Sequence, residues 1–317
     1  MKKIAIIDMG TNTFHLLLAK IGPQGCQVLR REQAPAKIGM AGINEGFLTE
    51  AACDRALQAM KNFRAIIDQF NITSIYAFGT SALRHAKNAS KLAAEIKSLT
   101  GISIQIISGE EEADWIFQGV KAAIDLGENA NLVMDIGAGS VEFIIGDRQK
   151  VSWKQSFEIG GQRLLEKFQR HDPVHAEEIQ AMDAYFEKML APLVRALEKF
   201  QPSVLIGSSG TFDTLSDIFC IRQGIHRTFD EPETPLSHVG FVEIYHELIN
   251  KNRDERMHIE GMIETRVDMI VVACCLIRFV LEKHRFNKIR VSTYSLKEGV
   301  LAKLFEDQKK SRKTNRI

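Results

Sequence analysis

Two segments of the chain repeat one another. Asp8-Met9-Gly10-Thr11-Asn12-Thr13-Phe14-His15 and Asp135-Ile136-Gly137-Ala138-Gly139-Ser140-Val141-Glu142 align position by position, 127 residues apart, each flanked by apolar runs. An apolar run ending in a carboxylate, a glycine-bearing turn and a second apolar run reads as strand, turn, strand. One pair of copies at this spacing in 317 residues predicts two similar domains, not a solenoid.

The residue types say what the turns can do. Glycine allows a ligand close to the main chain, so successive N–H groups can form an anion-binding concavity. Hydroxyls on Thr11, Thr13 and Ser140 add donors, and Asp8 and Asp135 are placed to hold a hard cation such as Mg²⁺. One copy alone reads equally well as a hairpin with Asp and Asn as turn formers. Two matched copies argue against that.

The chain is 45% hydrophobic and 26% charged, an ordinary globular composition. Forty-one basic against 40 acidic residues leave +1, so no global field for a polyanion exists and no nucleic-acid partner is expected. Lys309, Lys310, Arg312, Lys313 and Arg316 crowd the tail, which reads as a solvated, frayed terminus. Five cysteines without a CxxC spacing make no disulfide framework and point to a reducing compartment. Asp8, Asn12 and His15 interrupt the apolar N-terminus, so no export signal is expected. Met269 to Ile277, the longest uncharged apolar run, is far short of the roughly 18 residues a membrane span needs. A cytoplasmic protein with no membrane partner is the expectation.

Periodicity predicts a helix capped by Thr49, with Leu57, Met60, Phe63, Ile67 and Phe70 on one face. A strand at 74–78, a helix at 88–99, a strand at 102–107 and a helix at 110–126 follow. After the second hairpin come helices at 159–168 and 175–200, with Pro173 between them, and a strand at 203–206. A helix at 212–220, a loop at 222–238, a helix at 263–283, a strand at 288–292 and a helix at 296–305 complete the chain. Alternating strands and helices predict an α/β fold with mixed sheets. No linker separates the halves, so two domains, 1–124 with 300–317 and 125–299, are expected to pack with a cleft between them.

Three further segments carry chemistry. Ile206-Gly207-Ser208-Ser209-Gly210-Thr211 joins a strand to a helix, which suits either a phosphate or a plain capped turn. In Ser108-Gly109-Glu110-Glu111-Glu112, Ser108 and Glu111 have capping-box spacing, which leaves Glu112 without a local structural role. Glu112 is then either a solvated charge or a carboxylate able to orient a water for attack on a phosphoanhydride. Arg84, in a small hydroxyl-bearing turn, either forks onto phosphate oxygens or makes a surface salt bridge. No zinc motif, GxSxG elbow or activated cysteine is present.

These residues, in this order, resemble the exopolyphosphatase and guanosine pentaphosphate phosphohydrolase family of the actin, sugar kinase and Hsp70 superfamily. The likeness runs through IDMGTNTFHLLL, GTSALRHAKN, ISGEEEADWIFQGV, VMDIGAGSVEFIIG, IGSSGTFDTL and VSTYSLKEGVL, and so covers nearly all of the chain. It implies two ribonuclease H-like (actin-like ATPase) domains, each a mixed sheet flanked by helices, with the active site in the cleft. It implies Glu112 as catalytic base, with Asp135 and Glu142 as catalytic groups. It implies phosphate contacts from Gly10, Thr11, Asn12, Arg84, Gly137, Ala138, Gly139, Ser140, Gly210, Thr211 and Arg266. Mg²⁺ would be held by Asp8, Asp135 and Glu142.

The sequence departs from the family pattern at Ala138, where a third glycine is usual, at Val141 for a threonine, and at Ala273 for a glycine. The first adds a methyl beside the phosphate, the second removes a hydroxyl, and the third changes packing. The expected partner is inorganic polyphosphate, or guanosine pentaphosphate by the same chemistry. Ala138 and Val141 motivate a third reading, a feeble enzyme that senses such ligands. Longer family members carry extra helical domains that extend the polyphosphate groove, and this chain stops after the core. Processive digestion of long chains is therefore not expected; a homodimer would lengthen the groove.

Overall fold

The computed structural model describes residues 2–228 and 231–314. Contacts divide the chain into two compact units, residues 1–122 with 296–317, and residues 123–295.

In the first unit, β1 (Lys2–Met9) is buried on both faces from Ile4 to Ile7, as a central strand must be. It runs antiparallel to β2 (Phe14–Ile21), which runs antiparallel to β3 (Cys26–Ala34). β3 lies at the sheet edge, where charged Arg30, Arg31 and Glu32 discourage pairing with another chain. Helix α1 (Glu50–Gln69) starts at Thr49, whose Oγ1 accepts the Ala52 N–H at 3.2 Å. Its Ala56, Met60, Phe63 and Ile67 cover the sheet. β4 (Ser74–Gly79) follows, parallel to β1. Then come α2 (Ser81–His85), α3 (Ala89–Thr100), β5 (Ile104–Ile106) parallel to β4, and α4 (Gly109–Ala123). The strand order is β3-β2-β1-β4-β5.

The second unit repeats this plan. β6 (Asn131–Ile136) and β7 (Val141–Gly146) are buried throughout and form the antiparallel pair, and β8 (Val151–Phe157) adds to it. Helices α5 (Gly161–Phe168), α6 (Ala176–Met189) and α7 (Ala191–Phe200) lead to β9 (Val204–Ser208), parallel to β6. Then follow α8 (Ser209–Arg222), β10 (Glu233–Leu236), α9 (His238–Asn250), α10 (Arg253–Met257), α11 (Ile270–Lys283) and β11 (Lys288–Ser292). The order β8-β7-β6-β9-β11 reproduces the first unit strand for strand and direction for direction, with β10 added antiparallel at the edge. These are two ribonuclease H-like units, each a mixed sheet flanked by helices.

The last helix, α12 (Leu296–Thr314), returns to the first unit. It comes so close to α4 that a Cβ on Gly299 would meet the Trp115 carbonyl oxygen at 1.8 Å. Among the described residues no helix is long and apolar enough to cross a membrane.

Four expectations are corrected. The helix expected over 175–200 breaks at Leu190, because Pro192 at the start of α7 has no N–H to continue the ladder. The helix expected from 263 begins at Ile270, and 263–269 forms single turns such as Met269 N–H to Arg266 O at 3.0 Å. The loop expected over 222–238 contains β10, a four-residue strand whose Pro235 hides its pattern; residues 229 and 230 lie outside the described residues. The final helix extends beyond 305 to Thr314; Arg316 of the basic tail lies outside the described residues.

Candidate active site

Within each unit the site residues gather at the carboxyl ends of the parallel strands, where α/β sheets bind ligands. In the first unit, Asp8 is the cross-strand partner of His15, and the Gly10–Thr13 turn lies between them. Directly opposed residues share a sheet face. A Cβ on Gly10 would sit 2.8 Å from the Thr13 carbonyl oxygen, so only glycine fits this turn. Thr11 and Thr13 are buried, and their Oγ1 atoms have no partner. Buried hydroxyls are normally satisfied, so these two are waiting donors. Asn12, between them, is 7% exposed.

Thr80 N–H reaches the Met9 carbonyl at 3.4 Å, which sets the start of α2 beside this turn. Arg84, on α2, donates from Nη1 to Glu112 Oε2 at 2.9 Å and to the Ile107 carbonyl at 3.0 Å. Glu112 lies in the first turn of α4 and is 8% exposed. Its neighbour Glu111 forms the capping box, taking Ser108 N–H at 2.8 Å while Ser108 Oγ takes Glu111 N–H at 3.2 Å. The cap therefore occupies one glutamate and leaves the next facing Arg84. Arg84 and Glu112 thus form one shielded ion pair, so neither is a solvated surface charge.

In the second unit, Asp135 and Glu142 hold the cross-strand relation of Asp8 and His15. Both are buried. The Asp135 carboxylate accepts Ser209 Oγ at 2.8 and 2.7 Å on its two oxygens and Ser295 Oγ at 2.8 Å. Ser209 does this with φ +70°, a left-handed conformation costly for a residue with a Cβ. Glu142 Oε1 accepts Ser156 Oγ at 2.6 Å. The Gly137–Ser140 turn repeats the first one, since a Gly137 Cβ would stand 3.0 Å from the Ser140 carbonyl oxygen.

Gly210 and Thr211 lie in the first turn of α8. The Arg266 guanidinium lies flat against Gly210, where a Cβ would meet Nη2 at 2.2 Å. Burial pulls the Arg266 pKa down, while the charges of Asp213 and Asp135 push it up. Its Nε is buried and makes no hydrogen bond, although the residue as a whole is partly exposed.

Asp8, Gly10, Thr11, Asn12, Arg84 and Glu112 thus belong to the first unit, and Asp135, Gly137, Ala138, Gly139, Ser140, Glu142, Gly210, Thr211 and Arg266 to the second. Val141 is fully buried in the apolar core with Ile136 and Phe143, so a hydroxyl there would face the core and serve no ligand. Ala273 is likewise a core residue. Among the described residues no three His, Cys, Asp or Glu side chains gather as a metal-binding group. Sequence reading missed Ser156, Ser295 and Arg163, and saw Ser209 only as part of a phosphate-binding or capped turn. Nothing in spacing marks Ser295, which reaches Asp135 across 160 positions.

Buried carboxylates, free hydroxyls and glycine turns at the strand ends of two ribonuclease H-like units define a phosphate-handling protein of the actin-like class. A sequence model of the Ppx/GppA phosphatase family matches residues 17–308, and the chain belongs to that family. The crystal structure of an exopolyphosphatase from Cytophaga hutchinsonii is 44% identical, covers 96% of this chain and 98% of its own, and superposes with a TM-score of 0.94. An Aquifex aeolicus member of the Ppx/GppA family, 23% identical over 97% of this chain and 98% of its own, shares the fold with a TM-score of 0.79. The bifunctional 3-dehydroquinate synthase/phosphatase of Fusobacterium nucleatum is 31% identical over 296 residues. That match takes in 88% of this chain and 43% of the relative, so the chain spans less than half the length of that protein.

Proposed function

We propose that the chain is an exopolyphosphatase that hydrolyses the terminal phosphoanhydride of inorganic polyphosphate and releases phosphate. The observation that carries this reading is the shielded pair of Arg84 and Glu112. An ionised carboxylate offers about four acceptor sites. Arg84 takes one of these at Oε2, and a carboxylate held in this way can orient a water and take its proton. In phosphoryl transfer the protein mainly positions groups and stabilises charge, which suits a site made of hydroxyls, N–H groups and guanidinium. Thr11, Thr13 and Arg84 in the first unit, and Ser140 and Arg266 in the second, would each donate to phosphate oxygens. The 44% identity to the Cytophaga hutchinsonii exopolyphosphatase supports polyphosphate as the substrate.

The donor set fits Mg²⁺. Asp135 and Glu142 are buried oxygen ligands on one sheet face, and Mg²⁺ needs only one or two carboxylates where waters and phosphates complete its shell. Asp8 occupies the equivalent place in the first unit. When bound, Mg²⁺ would neutralise charge on the transferred phosphoryl group.

Phosphate release from short polyphosphate, long polyphosphate and guanosine pentaphosphate, with and without Mg²⁺, tests the reading. Release from polyphosphate that collapses in Glu112→Gln is the expected result. Faster release from guanosine pentaphosphate would replace the substrate, and tight binding without turnover would make the chain a sensor.

A further inference from the structure

Three carbonyls of the second phosphate turn are taken from one side. Gly137 O accepts Gly161 N–H at 2.9 Å, Ala138 O accepts Gln162 N–H at 2.8 Å, and Gly139 O accepts Gly160 N–H at 3.2 Å. The donors, Gly160 and the first two residues of α5, form a brace at the start of that helix. Gly160 presses so closely on the turn that a Cβ would stand 2.4 Å from the Ala138 carbonyl carbon. A trans peptide is planar, so a carbonyl fixed one way aims the next N–H the other way. The Ala138, Gly139 and Ser140 N–H groups therefore point away from the brace, toward the side where an anion would lie.

Arg163 completes the brace. Its Nε donates to the Gly139 carbonyl at 2.9 Å, and its Nη2 to Glu158 Oε2 at 3.0 Å. The Gly139 oxygen thus receives two donors from the same segment.

The first unit repeats the device. Asn12 O, at the repeat position of Gly139, accepts Lys37 N–H at 2.7 Å, and Thr11 O, at that of Ala138, accepts Gly39 N–H at 3.0 Å. Both braces open on the same three-residue turn, Ala36 N–H to Ala34 O and Ile159 N–H to Phe157 O, each 2.8 Å. There Arg55 secures the brace, donating to the Ala36 and Lys37 carbonyls at 2.8 Å each. Two turns with different side chains thus share one arrangement of peptide groups.

We propose that Arg163 is a positioning residue that locks the Gly137–Ser140 turn, through the Gly139 carbonyl, in the peptide orientation that captures a phosphate group. This rests on the reading of that turn as a phosphate site. Arg163 itself touches no ligand. It preorganises the N–H groups that do, and such supporting contacts are commonly worth about ten- to a hundredfold in affinity or activity.

The test is calorimetric titration of tripolyphosphate, with Mg²⁺, into the Glu112→Gln chain and into the same chain carrying Arg163→Ala or Arg163→Lys, with melting temperatures alongside. Arg163→Ala is expected to weaken binding about tenfold or more, and Arg163→Lys, which keeps one donor for the carbonyl, to recover part of it. Should Arg163→Ala fail to fold, Glu158→Gln loosens the same guanidinium and is expected to weaken binding in the same sense. A lowered melting temperature with unchanged binding would make the role purely structural and overturn the proposal. No binding of tripolyphosphate by the parent chain would overturn both the proposal and the phosphate reading. Equal binding in every variant beside brisk polyphosphate hydrolysis by the wild type would overturn the proposal alone.

Discussion

Arg84 Nη1 lies 2.9 Å from Glu112 Oε2, with both side chains largely withdrawn from solvent. The guanidinium comes from α2 and the carboxylate from α4, so the pair joins two helices that begin at the ends of β4 and β5. A charge-assisted contact in a shielded place is stronger than its surface counterpart, and breaking it from one side strands the partner.

Glu112→Gln should therefore leave the fold intact, since the amide oxygen still accepts from Arg84, and should lower kcat for phosphate release by about 10² to 10⁴-fold, the range of a lost general base. Arg84→Ala should both slow the reaction and destabilise the first unit by about 3 kcal/mol, because it takes the guanidinium away from a buried carboxylate. Steady-state kinetics with urea unfolding of both variants checks this. Unchanged kcat in Glu112→Gln would remove the residue from catalysis.

Much of this was legible in the sequence because it was local or repeated. The duplicated turns announced two like units, and the strands of both sheets fall in the same order and direction around them. The Ser108–Glu111 box could be read from its three-residue spacing, and reading it isolated Glu112. What escaped was non-local or lacked a period. β3 is exposed on both faces, so it shows no clean alternation of apolar residues. The three hydroxyls around Asp135 and Glu142 come from β8, α8 and the turn before α12, so no spacing rule links them to their carboxylates. Arg163 holds the second turn through a backbone carbonyl, which no residue type in the turn marks.

Ser209 should show opposed effects on stability and function. Its hydroxyl holds Asp135 at 2.7 Å, yet its φ of +70° suits glycine. Ser209→Ala keeps the strain and loses a bond to a charged group, so it should destabilise by about 1.5–3 kcal/mol. Ser209→Gly loses the same bond and relieves the strain, recovering about 1 kcal/mol. Both should weaken Mg²⁺ binding, followed by calorimetry, because Asp135 then loses one of the two hydroxyls that hold it. Ser209→Gly less stable than Ser209→Ala would contradict the strain.

Glu178 should contribute an acid-sensitive share of stability. Burial tends to raise its pKa, but the N–H groups of His175 and Arg170, with His171, overcome that and hold it below the ordinary glutamate value. A depressed folded pKa means stabilisation fully present above the unfolded value, about 4.3, and lost as pH falls through the folded value. Glu178→Gln should cost about 1 kcal/mol at pH 7, as lost helix caps do, and the difference from wild type should vanish in acid. Thermal unfolding of both proteins between neutral pH and pH 3 measures it. A difference that persists in acid would show that the charge is not what matters.

Ala138 decides whether the second turn is impaired. It has no positive φ and is only 7% exposed, so its methyl packs against protein and the turn needs no glycine there. Gly137 is different, since a methyl would stand 3.0 Å from the Ser140 carbonyl oxygen, and the turn would have to shift by a few tenths of an ångström to admit it. Ala138→Gly should thus cost about 0.5–1 kcal/mol through backbone entropy while leaving KM for polyphosphate nearly unchanged. Gly137→Ala should raise KM sharply at similar stability. A large fall in KM on Ala138→Gly would mean that the methyl obstructs the phosphate, and would favour a weakly active binder over an efficient hydrolase.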